Sequence, residues 1–408
     1  MKKFAILVLM LICIFFNIAN VNASINVDAE GCVLVDLQSD KILFEKNKDL
    51  KLAPASTTKI MTALLTIEKC NLNDKVIIGK KPPFADGSKI YLMEGEELTV
   101  EQLLNALLIE SANDAAQALA EYISGSEEEF AKLMNQRALE LGCKNTHFVN
   151  ASGLYDPNHY TSAYDLYLIT KKAFEYPKFR EIVSKVRYEI PPTNKQPQTR
   201  YLYSHNKLIN GNRRYRYQWA DGVKTGYTIK SKHAFVGSAT KNGRTLIAVV
   251  LKSNAQYYND IIKLFDYGFN DFQTKLILDK NTAATHIIID NKSISLYPAE
   301  DIYITLKKND NFNDIEKKIN VISNIEKFTK GETLGSVDIY KNNNLLKSVP
   351  LIANEDFGSL FYDLKYVETG KYKKRPSNWI VIPTIIVVTL FFYKKFKRKG
   401  KFKIKKEK

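Results

Sequence analysis

The order in which hydrophobic periodicities follow one another constrains the fold of this 408-residue chain more than any other feature. Residues 30–46 resemble a β-hairpin, residues from about 98 to 175 have helical periodicity, and β-rich runs return at Val223. The residues 241–244 (K-N-G-R) predict a hairpin turn between two of the later runs, and residues 257–272 predict an amphipathic helix. Strands, a block of helices and further strands closed by a helix predict an α+β domain, with an antiparallel sheet flanked by helices and a helical subdomain.

The remaining elements are predicted from shorter patterns. Residues 275–365 contain short β-rich runs between turn residues and no long helical pattern, so we expect a separate small all-β domain. The predicted helices of the first domain are one that begins near Ser56, Leu103–Ile109, Asn113–Ile123, Glu127–Leu141 behind a capping box of Ser126 and Glu129, and Ser162–Phe174.

Both ends of the chain carry apolar segments. The first 23 residues combine Lys2 and Lys3, an uncharged apolar run and a small-residue ending at Ala23, which is the layout of a cleaved secretory signal. Residues 379–393 are uncharged and apolar on every side, and ten Lys/Arg residues follow in residues 394–408. Because this segment lacks the polar face of an interfacial helix, we expect a single spanning anchor with the basic tail on the cytoplasmic side.

The net charge of +16 lies almost entirely at these two ends. Lys2 and Lys3 contribute +2, residues 371–378 contribute +4 and the tail contributes +9, which leaves +1 for residues 4–370. The sequence pI of about 9.3 therefore reflects basic ends suited to a membrane surface, and it gives no case for nucleic-acid binding by the rest of the chain. After removal of the signal three cysteines remain, Cys32, Cys70 and Cys143, in no metal-ligand spacing. Buried free thiols are favoured, and a Cys70–Cys143 disulfide stays open.

Ser56 and Lys59, in the run P-A-S-T-T-K, are the first candidates for chemistry. On a helix, positions i and i+3 share a face, so Lys59 could deprotonate Ser56 if burial or another cation lowered its pKa. The competing interpretation is a helix cap followed by a solvent-exposed lysine. The spacing alone does not decide, because Ser204 and Lys207 satisfy the same S-x-x-K pattern.

Two further motifs in the same order favour catalysis. Ser111-Ala112-Asn113 (S-x-N) falls at a break between two predicted helices, and Lys224-Thr225-Gly226 (K-T-G) occurs once, where the β pattern returns. A glycine in such a strand allows the backbone of a substrate to approach closely. The set of S-x-x-K, S-x-N and K-T-G is described for serine acyl-transfer enzymes that process penicillin-like substrates.

With these motifs the chain resembles the D-alanyl-D-alanine carboxypeptidases, the low-molecular-mass penicillin-binding proteins, over residues 28 to about 270 and less distinctly to 366. Six stretches carry the resemblance. They are P-A-S-T-T-K-I-M-T-A-L-L, G-S-K-I-Y-L-M-E-G-E, I-E-S-A-N-D-A-A, T-H-F-V-N-A-S-G-L, H-Y-T-S-A-Y-D-L and V-K-T-G-Y-T. The resemblance implies removal of the terminal D-alanine from peptidoglycan stem pentapeptides, covalent inhibition by β-lactam antibiotics, and neither metal nor cofactor.

The resemblance also assigns a role to each motif residue. Ser56 would be the nucleophile, Lys59 its base, and Ser111 a proton relay to the leaving D-alanine. The substrate would be bound by Asn113 at the acyl amide, Lys224 and Thr225 at the terminal carboxylate, Gly226 by close approach, and the backbone N–H of Tyr227, which would form the oxyanion hole with that of Ser56. Some members carry an arginine where this chain has His205, which leaves carboxylate binding less defined.

Two alternatives belong to other classes. A class A β-lactamase shares the three motifs but uses a carboxylate for deacylation, and Glu175, Glu181 and Glu189 stand in surroundings unlike that element. A catalytically silent, membrane-anchored peptidoglycan-binding protein would tolerate loss of Ser56 or Lys59, yet every motif residue is present. No serine lies in a G-x-S-x-G nucleophile motif that would need a histidine partner, and no H-E-x-x-H zinc motif is present. We therefore expect His147 and His159 to have structural roles.

These patterns predict an exported protein of the cell membrane with its catalytic domain on the extracytoplasmic face. The predicted divisions are a signal peptide (1–23), a catalytic domain (24–273), a small β-rich domain (274–366), a basic juxtamembrane linker (367–378), a transmembrane anchor (379–393) and a basic cytoplasmic tail (394–408).

Overall fold

The structure is a computed structural model, and it describes residues 25–211, 214–323 and 327–358. In chain order, the strands of the described residues are β1 (Gly31–Asp36), β2 (Lys41–Lys46), β3 (Lys75–Ile77), β4 (Glu97–Thr99), β5 (Arg187–Ile190), β6 (Arg200–Tyr203), β7 (Ala220–Thr228), β8 (Lys232–Lys241), β9 (Arg244–Ser253), β10 (Phe272–Leu278), β11 (Thr285–Ile289), β12 (Lys292–Pro298), β13 (Ile302–Lys307), β14 (Ile315–Val321), β15 (Thr333–Lys341) and β16 (Asn344–Ala353). The α-helices are α1 (Lys59–Lys69), α2 (Val100–Asn105), α3 (Asn113–Ser124), α4 (Glu127–Glu140), α5 (Ala163–Phe174), α6 (Pro177–Val183) and α7 (Tyr257–Asp271).

A five-stranded antiparallel sheet in the order β2-β1-β9-β8-β7 forms the centre of the first domain. The alternation of side chains along β1 explains why helices cover both faces. Val33 and Val35 pack with the helical subdomain through α1 and α5, whereas Leu34 packs with Phe265 of α7. The predicted α+β domain with an antiparallel sheet and flanking helices is confirmed.

The predicted hairpin turn joins β8 to β9. Lys241 pairs with Arg244, and the two residues between them have positive φ, 54° at Asn242 and 77° at Gly243. An Asn-Gly pair adopts this left-handed backbone at low cost, and the resulting turn matches the right-handed twist of the strands. The turn therefore sets the register between β8 and β9, and β7 pairs with the other side of β8 as the edge strand of the sheet.

One predicted helix ends earlier than its pattern suggested. Instead of a helix over Leu103–Ile109, α2 ends at Asn105 and a single π turn follows over Ala106–Glu110. The π turn ends at Ser111, whose φ of 65° is left-handed, and α3 starts at Asn113. The apolar residues of the π turn are buried, so packing rather than helical periodicity sets its backbone.

Residues 272–353 form the small all-β domain that the sequence predicts. A five-stranded sheet in the order β11-β12-β16-β15-β14 and a two-stranded sheet of β10 and β13 enclose their own apolar core, which includes Ile294, Val337 and Leu351. Within the described part of this domain the only helical turn is the short Phe312–Asp314. The exact boundaries of 24–273 and 274–366 stay a prediction.

Buried polar groups join the two domains. Asp36, at the end of β1, accepts hydrogen bonds from Arg244 Nε at 2.6 Å and from Thr274 Oγ1 at 2.7 Å. Thr274 is also hydrogen-bonded to Thr305, which contacts Ser39 of the first domain at 2.6 Å. Because Asp36 is fully buried, removal of its carboxylate would leave Arg244 with an uncompensated charge.

The segments predicted at the two ends of the chain stay predictions. The signal peptide, the linker 367–378, the anchor 379–393 and the tail 394–408 all lie outside the described residues. In the described ranges, no helix has both the length and the apolar character needed to cross a membrane. Cys32, Cys70 and Cys143 are described, and all three are free thiols, so the Cys70–Cys143 disulfide is not formed.

Candidate active site

Ser56 lies in a 3₁₀ turn, Ala55–Thr58, that leads directly into α1. Ala55 has a left-handed backbone with φ of 47°, and Thr57 fastens the turn because its hydroxyl donates to Pro54 O at 2.6 Å. Two glycines press against the turn. A Cβ on Gly153 would lie 1.9 Å from Ala55 O, and a Cβ on Gly226 would lie 2.7 Å from Ser56 N. Ser56 is thus held between the loop of Gly153 and strand β7.

Lys59 points toward Ser56 and is completely buried. Its Nζ lies 3.0 Å from Ser56 Oγ, 2.6 Å from Asn113 Oδ1 and 2.7 Å from Ser152 O. Burial lowers the pKa of Lys59 well below its usual value, and the positive charge of Lys224 lowers it further, while Asp114 opposes the change. A neutral Lys59 has a lone pair for the proton of Ser56. The interpretation of Lys59 as a solvent-exposed charge is therefore wrong.

The S-x-N residues occupy the break between the π turn and α3. Asn113 is buried, and besides accepting from Lys59 its backbone N–H donates to Ser88 O at 2.6 Å while its side-chain amide donates to Asp86 O. Ser111 is also buried, but among the described residues no hydrogen bond joins its hydroxyl to Ser56 or Lys59. Asn113 is thus hydrogen-bonded to the Ser56–Lys59 pair through Lys59, whereas Ser111 makes no direct hydrogen bond with the pair in the described residues.

The K-T-G residues lie on β7, the edge strand of the sheet nearest to the Ser56 turn. Lys224 is buried and donates to Thr225 O at 2.8 Å. Burial lowers the pKa of Lys224 to about 7, against the opposing effect of Glu110. The Tyr227 side chain is 60% exposed. An edge strand with free backbone groups can pair with an extended peptide, and this one passes the nucleophile turn.

Two contributors to this site were not predicted from the sequence. Ser152 supplies the carbonyl that accepts from Lys59. Asp114 is fully buried and accepts from the backbone N–H groups of Ile90 and Leu92, which fixes the loop that holds Asn113. Burial raises the pKa of Asp114 in spite of these hydrogen bonds. The sequence signal that could have predicted a role for Asp114 is its position directly after Asn113, in the first turn of a helix.

The arrangement suits acyl transfer by a serine with a lysine base, and sequence comparisons agree with it. Residues 18–255 match the family described as "D-alanyl-D-alanine carboxypeptidase", and residues 272–359 match "Penicillin-binding protein 5, C-terminal domain". The chain belongs to the D-alanyl-D-alanine carboxypeptidase family. Membership confirms the predicted resemblance and the predicted activity, that of a serine-type D-Ala-D-Ala carboxypeptidase, a hydrolase of the peptidase class.

Curated relatives and solved structures cover most of this carboxypeptidase. It is 37% identical over 344 residues to D-alanyl-D-alanine carboxypeptidase DacF of Bacillus subtilis, an alignment that covers 81% of this chain and 86% of DacF. Penicillin-binding protein 5 of Haemophilus influenzae has 29% identity and a TM-score of 0.71, and the match covers 82% of this chain and 98% of that one. A mutant of the Streptomyces K15 DD-transpeptidase has 31% identity and a TM-score of 0.56, with coverage of 60% and 99%.

Neither alternative class is favoured for this carboxypeptidase. The three glutamates named for a β-lactamase mechanism belong to the protein surface, since Glu175 pairs with Lys172, Glu181 pairs with Lys178 and Lys185, and Glu189 is exposed. Nor does Ser204 repeat the arrangement of Ser56, because its Oγ accepts from Asn206 N.

The histidines of this carboxypeptidase have structural contacts. His159 Nδ1 accepts from Val149 N, so its protonated Nε2 donates to Thr58 Oγ1 at 2.9 Å. Burial lowers the pKa of His159 to about 4, which keeps this ring neutral. His147 Nδ1 donates to Asn158 O at 2.7 Å. Within the described ranges there is no group of three or more His, Cys, Asp or Glu side chains suited to holding a metal ion.

Proposed function

We propose that this carboxypeptidase removes the terminal D-alanine from peptidoglycan stem pentapeptides through an acyl-enzyme on Ser56. The observation that carries the proposal is the convergence of three residues from separate parts of the sequence. Lys59 Nζ lies within 3.0 Å of both Ser56 Oγ and Asn113 Oδ1, in a site where burial favours the neutral amine.

Acylation begins with proton transfer from Ser56 Oγ to neutral Lys59. The Ser56 oxygen attacks the carbonyl carbon of the penultimate D-alanine, and the backbone N–H groups of Ser56 and Tyr227 stabilise the oxyanion. One such donor typically contributes about 3 kcal/mol to barrier lowering. The tetrahedral intermediate then expels D-alanine, whose amine receives the proton from Lys59 through Ser111. The helix that follows the 3₁₀ turn supports this step, because the N–H groups at its start contribute positive potential where the oxyanion forms.

Recognition of the substrate divides between the two sides of Ser56. Lys224 supplies a positive charge and Thr225 a hydroxyl for the terminal carboxylate, while the Asn113 amide binds the amide of the acyl chain. Gly226 lets strand β7 and a substrate on it lie close to the nucleophile, since a Cβ at this position would collide with the Ser56 turn. An extended peptide can pair with the edge strand β7. A β-lactam, whose carboxylate and amide carbonyl occupy comparable positions, would acylate Ser56 in the same manner.

Water completes the cycle by hydrolysing the acyl-enzyme, with Lys59 available to accept its proton. Penicillin would be released slowly, because Glu175 and Glu181 pair with surface lysines and Glu189 is exposed. Rapid turnover of benzylpenicillin would instead support the β-lactamase alternative.

Release of D-alanine from a pentapeptide ending in D-Ala-D-Ala tests the activity and the nucleophile together. We expect Ser204→Ala to release D-alanine within about threefold of the wild type, because it loses only the local hydrogen bond from Asn206 N, and Ser56→Ala to release none above background. Ser204→Ala is a matched control because Ser204 stands in the same S-x-x-K spacing. Wild-type activity in Ser56→Ala would refute Ser56 as the nucleophile, and no activity in the wild type would refute the proposed substrate.

We also propose that the protein is exported and held by residues 379–393, with residues 394–408 in the cytoplasm. The uncharged apolar run and the ten basic residues after it support this topology. Protease added to cells without their wall should degrade the catalytic domain and spare an epitope placed after Lys408. Degradation of the epitope would contradict the topology.

A further inference from the structure

The segment Ser204–Asn206, which imitates the S-x-N motif, bridges two parts of the active site. On one side, Asn206 Nδ2 donates to Gly222 O at 3.0 Å, two residues before Lys224 on β7. On the other side, the segment and its neighbour Tyr203 contact Glu110 of the π turn. The segment therefore connects the strand of the K-T-G motif to the turn of the S-x-N motif.

Glu110 makes two hydrogen bonds with this segment. Tyr203 N donates to one carboxylate oxygen at 3.1 Å, and His205 Nε2 lies 3.2 Å from the other. Glu110 immediately precedes Ser111, whose backbone is left-handed, and lies three residues before Asn113. A left-handed serine persists only where its surroundings determine it, and Glu110 is the anchor nearest in sequence.

We propose that Glu110 and His205 are positioning residues that hold the S-x-N turn against the strand of Lys224. This inference rests on the proposed function, because it assigns to the pair the alignment of Ser111 and Asn113 with the carboxylate-binding groups. His205 tethers Glu110 through the contact between Nε2 and the carboxylate, and the nearby charge of Lys224 favours the ionised form of Glu110. Neither residue is assigned contact with the reacting atoms.

Electrostatics give the pair a second effect, on Lys224. Burial raises the pKa of Glu110, but the hydrogen bonds with His205 and Tyr203 and the charge of Lys224 outweigh burial. The net effect is a lowered pKa, so Glu110 stays ionised. Ionised Glu110 in turn opposes the lowering of the Lys224 pKa by burial. The other charged groups acting on this region are Lys59, which interacts with Lys224, and Asp114, which interacts with Lys59.

The variant Glu110→Gln separates charge from position, because its amide oxygen can still accept from Tyr203 N. Without the Glu110 charge, Lys224 loses its proton at lower pH. We expect KM for the pentapeptide to begin its rise about one pH unit lower than in the wild type, with kcat within about threefold at pH 6. In Glu110→Ala the anchor is also lost, and we expect kcat to fall about tenfold or more.

Glu101→Gln is the matched control. Glu101 belongs to the same helical region but pairs with Lys178 at 3.1 Å, away from Lys224. Its pH profile should superimpose on that of the wild type. Thermal unfolding of all variants gives their stability, and if Glu110→Ala does not fold, the Glu110→Gln profile decides alone.

The proposal is overturned if the KM profile of Glu110→Gln follows the wild type, or if folded Glu110→Ala retains the wild-type kcat. Failure of the proposed function has a different outcome, since the wild type would then release no D-alanine and form no adduct with penicillin. A wild type that forms the adduct, with Glu110 variants indistinguishable from it, refutes the positioning pair alone.

Discussion

Gly226→Ala is the substitution whose effect can be worked out most directly from the structure. A Cβ at this position would lie 2.7 Å from Ser56 N, 3.0 Å from Ala55 Cβ and 3.1 Å from Thr57 N. Two of these atoms are backbone nitrogens of the nucleophile turn, so no side-chain rotation can relieve the contact. Either β7 or the turn has to move.

The size of that movement sets the expected loss. Non-bonded heavy atoms are comfortable at about 3.5 Å or more, so the approach to Ser56 N is too close by about 0.8 Å. A misplacement of about 1 Å costs on the order of 100-fold in rate. We therefore expect Gly226→Ala to lower the acylation rate about 30- to 100-fold, which corresponds to about 2 to 3 kcal/mol in the barrier.

The assay is the second-order rate of covalent labelling with a fluorescent penicillin, measured together with thermal unfolding. Gly237→Ala is the matched control, because its Cβ would meet Ile261 Cγ2 at 3.1 Å in the core behind the same sheet. Gly237→Ala should affect stability and leave the labelling rate within about threefold. Labelling of folded Gly226→Ala at the wild-type rate would refute the close fit of β7 against the Ser56 turn.

Three further predictions concern buried charges. Lys59→Arg should lower the labelling rate about 1,000-fold, because a guanidinium stays protonated and cannot act as the base; an unchanged rate would exclude that role. KM for the pentapeptide should rise above about pH 7, because Lys224 then loses its proton. Lys224→Arg should abolish this pH dependence of KM. A wild-type KM that stays constant from pH 6 to 9 would contradict the role of the Lys224 charge. Asp36→Ala should lower the free energy of unfolding by about 3 to 5 kcal/mol in urea, because Arg244 loses its buried partner, whereas the exposed Glu129→Ala should cost below about 1 kcal/mol.

Much of the fold follows from local patterns. The helix Asn113–Ile123 and the turn at Asn242 were predicted within a residue or two, because amphipathic spacing and turn chemistry are local properties. Helix α6, Pro177–Val183, is too short for periodicity to reveal, and the π turn after Asn105 is set by packing. The pairing of β1 with β9, more than 200 residues apart, was not specified by any local signal.

The candidate site divides in the same way. Ser56 and Lys59 are three residues apart, so helical geometry predicts their approach, and the structure places their reactive atoms at 3.0 Å. The contact of Lys59 with Ser152 O and the pairing of Glu110 with His205 join distant segments, and no spacing rule describes them. The sequence also offered Ser204 as an equal match, and only its surroundings distinguish it from Ser56.

The central claim is that Ser56 forms the acyl-enzyme, and mapping of the penicillin adduct tests it most directly. The intact protein would be incubated with penicillin, digested and analysed by mass spectrometry. We predict one adduct on the peptide that contains Ser56, and none in Ser56→Ala. An unmodified wild type, or an adduct on Ser111 or Ser204 in place of Ser56, would contradict the account.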